Sequence, residues 1–126
     1  MTHRSRLAQI ILDCQTHDID GAIGFWSAAL GRRTRPLPDP RDERYRALST
    51  RPGELNILLQ RVNHPSRVHL DFESDDVEAE VARLEAVGAK RIAQVRTWWI
   101  MEAPTGHAFC VLRPQLPDLR EHGNVW

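Results

Sequence analysis

Two hydrophobic rhythms alternate along this chain. Leu7 to Cys14 is a compact aliphatic run, Leu-Ala-Gln-Ile-Ile-Leu-Asp-Cys, of the kind that forms a β-strand. Past the turn at Gln15-Thr-His-Asp18, Ile19, Ala22, Ile23, Trp26, Ala29 and Leu30 recur at helical spacing. Asp18 can accept a first-turn N–H, and Gly31 can end the helix in the left-handed conformation. From Arg32 to Gly53 the pattern weakens. Thr34-Arg-Pro36 reads as a short edge strand; Pro36, Pro38 and Pro40 exclude a central one because proline offers no ladder N–H. Tyr45–Leu48 reads as a short strand, Pro52-Gly53 as a turn and Leu55–Gln60 as a clearer strand.

After Asn63-His-Pro65 the pattern restarts. Arg67–Phe72 alternates, which puts Val68, Leu70 and Phe72 on one face. Asp75 with Glu78 resembles a capping box opening a second helix, with Val77, Val81 and Leu84 as its buried stripe and Gly88 at its end. Arg91–Val95, Trp98–Met101 and Ala108–Leu112 read as three strands, the last two joined by Pro104-Thr-Gly106. The order strand, helix, strands therefore occurs twice, and Leu30-Gly31 and Val87-Gly88 close the two helices 57 positions apart. The expected fold is α+β: two tandem βαβββ modules, about 6–62 and 66–113, with a tail over 114–126, all within one domain. Half-sheets of four strands are marginal alone, so the modules are expected to form one curved mixed sheet around a cleft, helices outside. The tail ends in Asn124-Val-Trp126; an indole is costly to leave in water, so docking on its own sheet or on a second subunit is expected.

Composition narrows the partners. Apolar residues are 41% of the 126, enough for a core, and 17 basic residues balance 17 acidic ones, so there is no nucleic-acid footprint. The local basic stretch Arg32, Arg33, Arg35, Arg41 and Arg44 is interleaved with Asp39, Asp42 and Glu43 and reads as a solvated loop. The longest apolar run is too short to span a bilayer, and no cleavage site follows it. Two cysteines, Cys14 and Cys110, make no disulfide framework and suit a reducing compartment. A cytoplasmic protein is expected.

Specific residues then carry a resemblance. Leu12-Asp-Cys14, Phe25-Trp26 and Ala29-Leu-Gly31 resemble the first module of the vicinal oxygen chelate superfamily, which holds glyoxalase I, bleomycin-resistance proteins and extradiol dioxygenases. His69-Leu-Asp-Phe72, Asp75-Asp-Val77, Ala86-Val-Gly-Ala89 and the hairpin from Trp99 to Leu112 resemble its second module. The resemblance runs from about Leu7 to Arg113 and is nearest to the small glyoxalase-like branch. It implies a small-molecule cleft and a homodimer. It specifies the fold far better than the reaction, because one fold hosts many chemistries.

The resemblance also implies four cleft-facing positions that in metal-using members hold His or Gln, Glu, His and Glu. Here they carry Gln9, Gln60, His69 and Cys110. Both carboxylates are missing, and with them the charge that holds a hard divalent ion. The expectation is a protein without a conventional metal site or other cofactor; were a divalent metal held, these four would be its ligands. His69 is read as a cleft histidine, and as the candidate general base should the protein be a metal-free enzyme. A metal-dependent lyase, isomerase or dioxygenase would need another ligand set, drawn from Asp71, Glu73 or Glu102. Cys110 is read as a small core hydrophobe, His64 and His107 as exposed, and His3, His17 and His122 as loop or tail residues. Trp98 and Trp99, adjacent on a strand, must face opposite ways, one toward the cleft. The expected ligand is a small, partly aromatic molecule, met by Gln9, Asn56, Gln60, His69, Trp98, Trp99 and Cys110, with Asp13 and Tyr45 nearby.

Overall fold

The computed structural model describes residues 2–37, 39 and 42–126. Pro38, Pro40 and Arg41, on which part of the loop reading rests, lie outside the described residues. The chain forms β1 (Arg4–Gln15), α1 (Ile19–Leu30), β2 (Thr34–Arg35), β3 (Tyr45–Leu48), β4 (Asn56–Val62), β5 (Arg67–Ser74), α2 (Val77–Ala86), β6 (Lys90–Val95), β7 (Trp98–Glu102), β8 (Ala108–Leu112), α3 (Leu119–His122) and β9 (Asn124–Val125). Two compact units result. Residues 9–68 form one, here module one; residues 1–8 with 69–126 form the other, module two.

The duplicated pattern is real at the level of strand pairing. In module one β1 runs parallel to β4, β4 antiparallel to β3, and β3 antiparallel to β2. In module two β5 runs parallel to β8, β8 antiparallel to β7, and β7 antiparallel to β6. Each module lays its helix on one face of its strands. Ile19 and Ile23 of α1 pack with Leu48 and Leu59; Val81 and Leu84 of α2 pack with Met101, Phe109 and Val111. Truncating a fully buried member of these clusters, Leu59→Ala for example, belongs to a class of change that costs about 2–5 kcal/mol.

The helix ends show the local chemistry. Asp18 caps α1 by accepting from the Gly21 N–H at 2.9 Å, and Gly31 closes it at φ 67°. In α2 the cap is Asp76, whose Oδ1 accepts from the Ala79 N–H at 3.0 Å, and not Asp75. Asp75 instead accepts from the Arg4 backbone N–H at 2.7 Å. The Asp-Asp pair offered two equivalent caps, and the neighbouring strand takes one of them.

Other expectations are corrected. The first strand begins at Arg4, three residues before the aliphatic run, because its polar start pairs with β9: Arg4 stands opposite Val125 and Ser5 opposite Asn124. The tail docks on its own module, where the Trp126 indole N–H donates to Ser5 Oγ at 2.8 Å and the Arg83 guanidinium covers the ring at 3.7 Å. His3 is no tail residue. It is buried, with Nε2 2.9 Å from Oε1 of the fully buried Glu80. Nor is the basic stretch simply solvated. Arg32 reaches the Leu55 carbonyl and Arg35 the Leu48 carbonyl, while Arg44 pairs with Asp42.

Candidate functional site on the polar strand faces

Register fixes which side chains share a face. In module two Asp71 stands opposite Cys110, and Cys110 opposite Ile100. Counting by twos, His69, Asp71, Cys110, Ile100 and Trp98 lie on the face away from α2. Trp99 stands opposite Val111 and packs on the α2 core, where Arg91 covers its ring at 4.9 Å. So Trp98 is the tryptophan on the His69 face, and Trp99 belongs to the helix layer.

Burial along β5 favours its polar side. Val68 and Leu70 are exposed, at 55% and 39%, whereas Asp71 and Glu73 are buried. Only Phe72 of the apolar set packs on the core, against Phe109 at 5.1 Å between ring centroids. The polar side of the strand is the protected one because its groups have partners. His69 Nε2 lies 3.2 Å from Asp71 Oδ1. Glu73 Oε2 accepts from Arg6 Nε at 2.8 Å, and its Oε1 accepts from the Gln115 and Leu116 N–H groups at 2.7 and 3.1 Å. A buried carboxylate is tolerable only with such pairing.

Cys110 joins this group. One ligand atom each from His69, Asp71 and Cys110 lie within 4.8 Å of one another. Cys110 is half-buried rather than sealed in the core. Nitrogen, oxygen and sulfur donors in one cluster fit a borderline divalent ion such as zinc, with a position left for a ligand. Both carboxylates are absent from the four expected positions, and this cluster contains one, Asp71, two residues along the strand from His69. Cys14 lies on the helix side of module one; burial, then the neighbouring Asp13 carboxylate, pushes its thiol pKa up, which makes it a poor nucleophile.

Module one presents a different polar face. Gln9 stands opposite Asn56 and Asp13 opposite Gln60, which also faces Tyr45. Gln9 Oε1 accepts from Asn56 Nδ2 at 2.8 Å, and Asn56 Oδ1 accepts from Arg35 Nη2 at 2.9 Å and Thr50 Oγ1 at 3.0 Å. Gln9 and Asn56 are buried inside this network, while Gln60 is half-buried. Asp13 is buried, 3.4 Å from Arg67 Nε and 4.0 Å from His64 Nε2, so half-buried His64 is not simply exposed. His17, His107 and His122 are exposed. The structure therefore brings Gln9 and Asn56 together in one module, and His69, Cys110 and Asp71 in the other.

The His3–Glu80 pair is the group that sequence reasoning missed, whereas Asp71 was a candidate. Asp71 had a signal: it sits two residues from His69 on an alternating strand. His3 and Glu80 are 77 residues apart, and nothing local ties them.

Comparison with known proteins gives three findings. A family model described as a glyoxalase-like domain matches residues 9–112. No curated protein matches the chain. Among solved structures, methylmalonyl-CoA epimerase from Mycobacterium tuberculosis is similar at TM-score 0.62 and 17% identity, over 90% of each chain. A glyoxalase/bleomycin resistance protein/dioxygenase superfamily member from Vibrio splendidus gives 0.57 and 17%, over 87% of this chain and 99% of that one. The Mn(II)-bound glyoxalase from Novosphingobium aromaticivorans gives 0.60 and 16%, over 92% of this chain and 43% of that one. At these identities the likeness is one of fold. Among the described residues, no helix is long and apolar enough to cross a membrane.

Proposed function

This chain belongs to the glyoxalase-like domain family, and on that premise we propose that it binds a small, partly aromatic molecule on the polar face of module two, with His69 as the group that meets the ligand's acidic or polar atom. The observation that carries this reading is the His69–Asp71 pair, 3.2 Å apart and largely shielded from solvent, on a strand face shared with Trp98. A carboxylate beside an imidazole orients the ring and stabilises its protonated form. Trp98, half-buried, supplies flat apolar area for an aromatic ring. Such a site can hold an acidic hydroxyl, and in an enzyme without metal His69 would take a proton from it as general base.

A second reading is favoured by the cluster itself. His69, Asp71 and Cys110 would hold a divalent ion, which when bound would supply Lewis-acid polarisation of a ligand oxygen. In that case Asp71 contributes the negative charge and Trp98 still positions the ring. Amide oxygens of Gln9 and Gln60 are weak ligands beside this set.

Catechol, a small aromatic with acidic hydroxyls and no carboxylate, is the probe that tests the proposal. Saturable quenching of tryptophan fluorescence is expected in the tag-free protein, with binding weakened roughly tenfold or more in His69→Ala and in Trp98→Ala. Undiminished binding in both variants would overturn it. Metal analysis of the same preparations, with zinc titration, separates the two readings: stoichiometric metal lost in Asp71→Ala and Cys110→Ser selects the metal centre.

A further inference from the structure

A second concavity lies in module two, apart from the His69 face. It has a volume of about 680 Å³ and is framed by the start of β1 and the tail segment that leads into α3. Half of its lining residues are apolar: Pro114, Leu116, Pro117 and Leu119. Two guanidinium groups, those of Arg4 and Arg120, stand among these walls.

The polar groups here are unevenly committed. Arg4 Nε is buried and meets no acceptor among the described residues. A buried charged donor without an acceptor costs stability, and survives where something else satisfies it. Arg120 is exposed and meets no carboxylate among the described residues. The carboxylate that also lines the concavity, Asp75, is bonded to the Arg4 backbone N–H at 2.7 Å. Arg4 and Arg120, set against Asp75, therefore leave one net positive charge beside the apolar half of the lining.

The wall is held in place beforehand. Fully buried Glu73 accepts the N–H groups of Gln115 and Leu116, and Arg6 bridges Glu73 to Asp118. That fixes the segment carrying Leu116 and Pro117 before any ligand arrives, which removes an ordering cost from binding. Leu119 is buried, so the floor is packed as well.

We propose that this recess is a second binding site, for a small monocarboxylate with an apolar body, whose carboxylate is held by Arg4 and Arg120 and whose body lies on Leu116 and the flanking prolines. Guanidinium groups suit carboxylates because their planar N–H pairs match the two oxygens, and proline and leucine walls accept the remainder. Nothing in the reading of the His69 face is required for this site.

Octanoate titrated into the intact protein, followed by calorimetry, is the test. Saturable binding of one octanoate per chain is expected at millimolar concentrations or below, with octanamide binding far more weakly. Arg120→Gln should weaken octanoate about tenfold, as loss of a charge-assisted contact does, and Arg120→Lys should recover part of that. Leu116→Glu should weaken it too, by placing a carboxylate in the wall, while His69→Ala should leave it unchanged. Arg120 is an exposed residue, so its variants are not expected to unfold the chain. No saturable binding, equal binding of octanamide, or full binding in Arg120→Gln would overturn the proposal. Loss of octanoate binding in His69→Ala, with Arg120→Gln unaffected, would assign the carboxylate to the other face.

Discussion

The two modules share a topology and bury opposite kinds of polarity. Module one buries neutral amides: Gln9 and Asn56 hydrogen-bond to each other, with Arg35 and Thr50 closing the network around Asn56. Asp13 is its one buried carboxylate among the described residues, facing Arg67 and His64. Module two buries Asp71, Glu73 and Glu80, each facing a cationic or titratable partner: His69, Arg6, and Arg83 with His3. The same βαβββ frame thus supports a satisfied amide lattice in one copy and a set of charged dyads in the other. An amide lattice gives rigidity and no reactivity. Imidazole beside carboxylate gives a group that can hold or move a proton, or take a metal. The chemistry of this protein is accordingly expected on the module-two face, with the corresponding face of module one as scaffold.

The comparison breaks most visibly at Glu80. Its carboxylate is fully buried and fully engaged, with Arg83 on both oxygens at 2.7 and 2.8 Å and His3 at 2.9 Å. Glu80→Ala leaves Arg83 and His3 facing a cavity and should cost about 3–5 kcal/mol in a urea titration. Acid should act on the same place. Burial alone would raise the Glu80 pKa, but hydrogen bonds from Arg83, His3 and Ser5 outweigh it and lower the value. A depressed carboxyl stabilises the fold fully above the unfolded value of about 4.3, and that stabilisation disappears as pH falls through the lower folded value. Stability should therefore drop below about pH 4 in the wild type and much less steeply in Glu80→Ala. A flat wild-type profile there would remove the distinction between the modules.

A smaller effect is expected at the amide lattice. Asn56→Ala removes the hydrogen bond to buried Gln9 and strips Arg35 of an acceptor, a loss of about 1–3 kcal/mol. It should not change catechol binding. If Asn56→Ala weakened catechol as much as His69→Ala does, module one would have to be counted as part of the ligand site, and the contrast between the two faces would fail.

Most of the frame was legible in the chain, because strand and helix periods are written in the apolar positions. Ile19, Ile23 and Trp26 announce α1, and the Gly31 and Gly88 spacing announces the repeat. Burial of polar groups was less legible, since hydropathy does not predict that Val68 and Leu70 are exposed while Asp71 and Glu73 are buried. The alternation on β5 still placed His69, Asp71 and Glu73 on one face. Which face was protected depended on partners far away in sequence, such as Arg6 and Gln115. Likewise Val77, Glu80, Val81 and Leu84 share helical spacing, so Glu80 was on the buried stripe from the start. Its partner His3 could not be found without the fold.

The smallest expected effect tests module two in the stabilising direction. Among the described residues Arg96 is the one non-glycine with positive φ, at 51°. It occupies the first of the two residues between Val95 and Trp98, which pair across the β6–β7 hairpin. A two-residue hairpin turn commonly needs positive φ at that position, where glycine is favoured and a side chain is strained. Arg96→Gly relieves the strain and should raise stability by about 0.5–1 kcal/mol, read as a rise in the urea midpoint at unchanged slope. Arg96 makes no ion pair among the described residues that would offset this gain, and its side chain is exposed. A fall in the midpoint would mean that its guanidinium supports the β6–β7 edge after all. Module two would then rest on one more charged contact than its buried dyads supply.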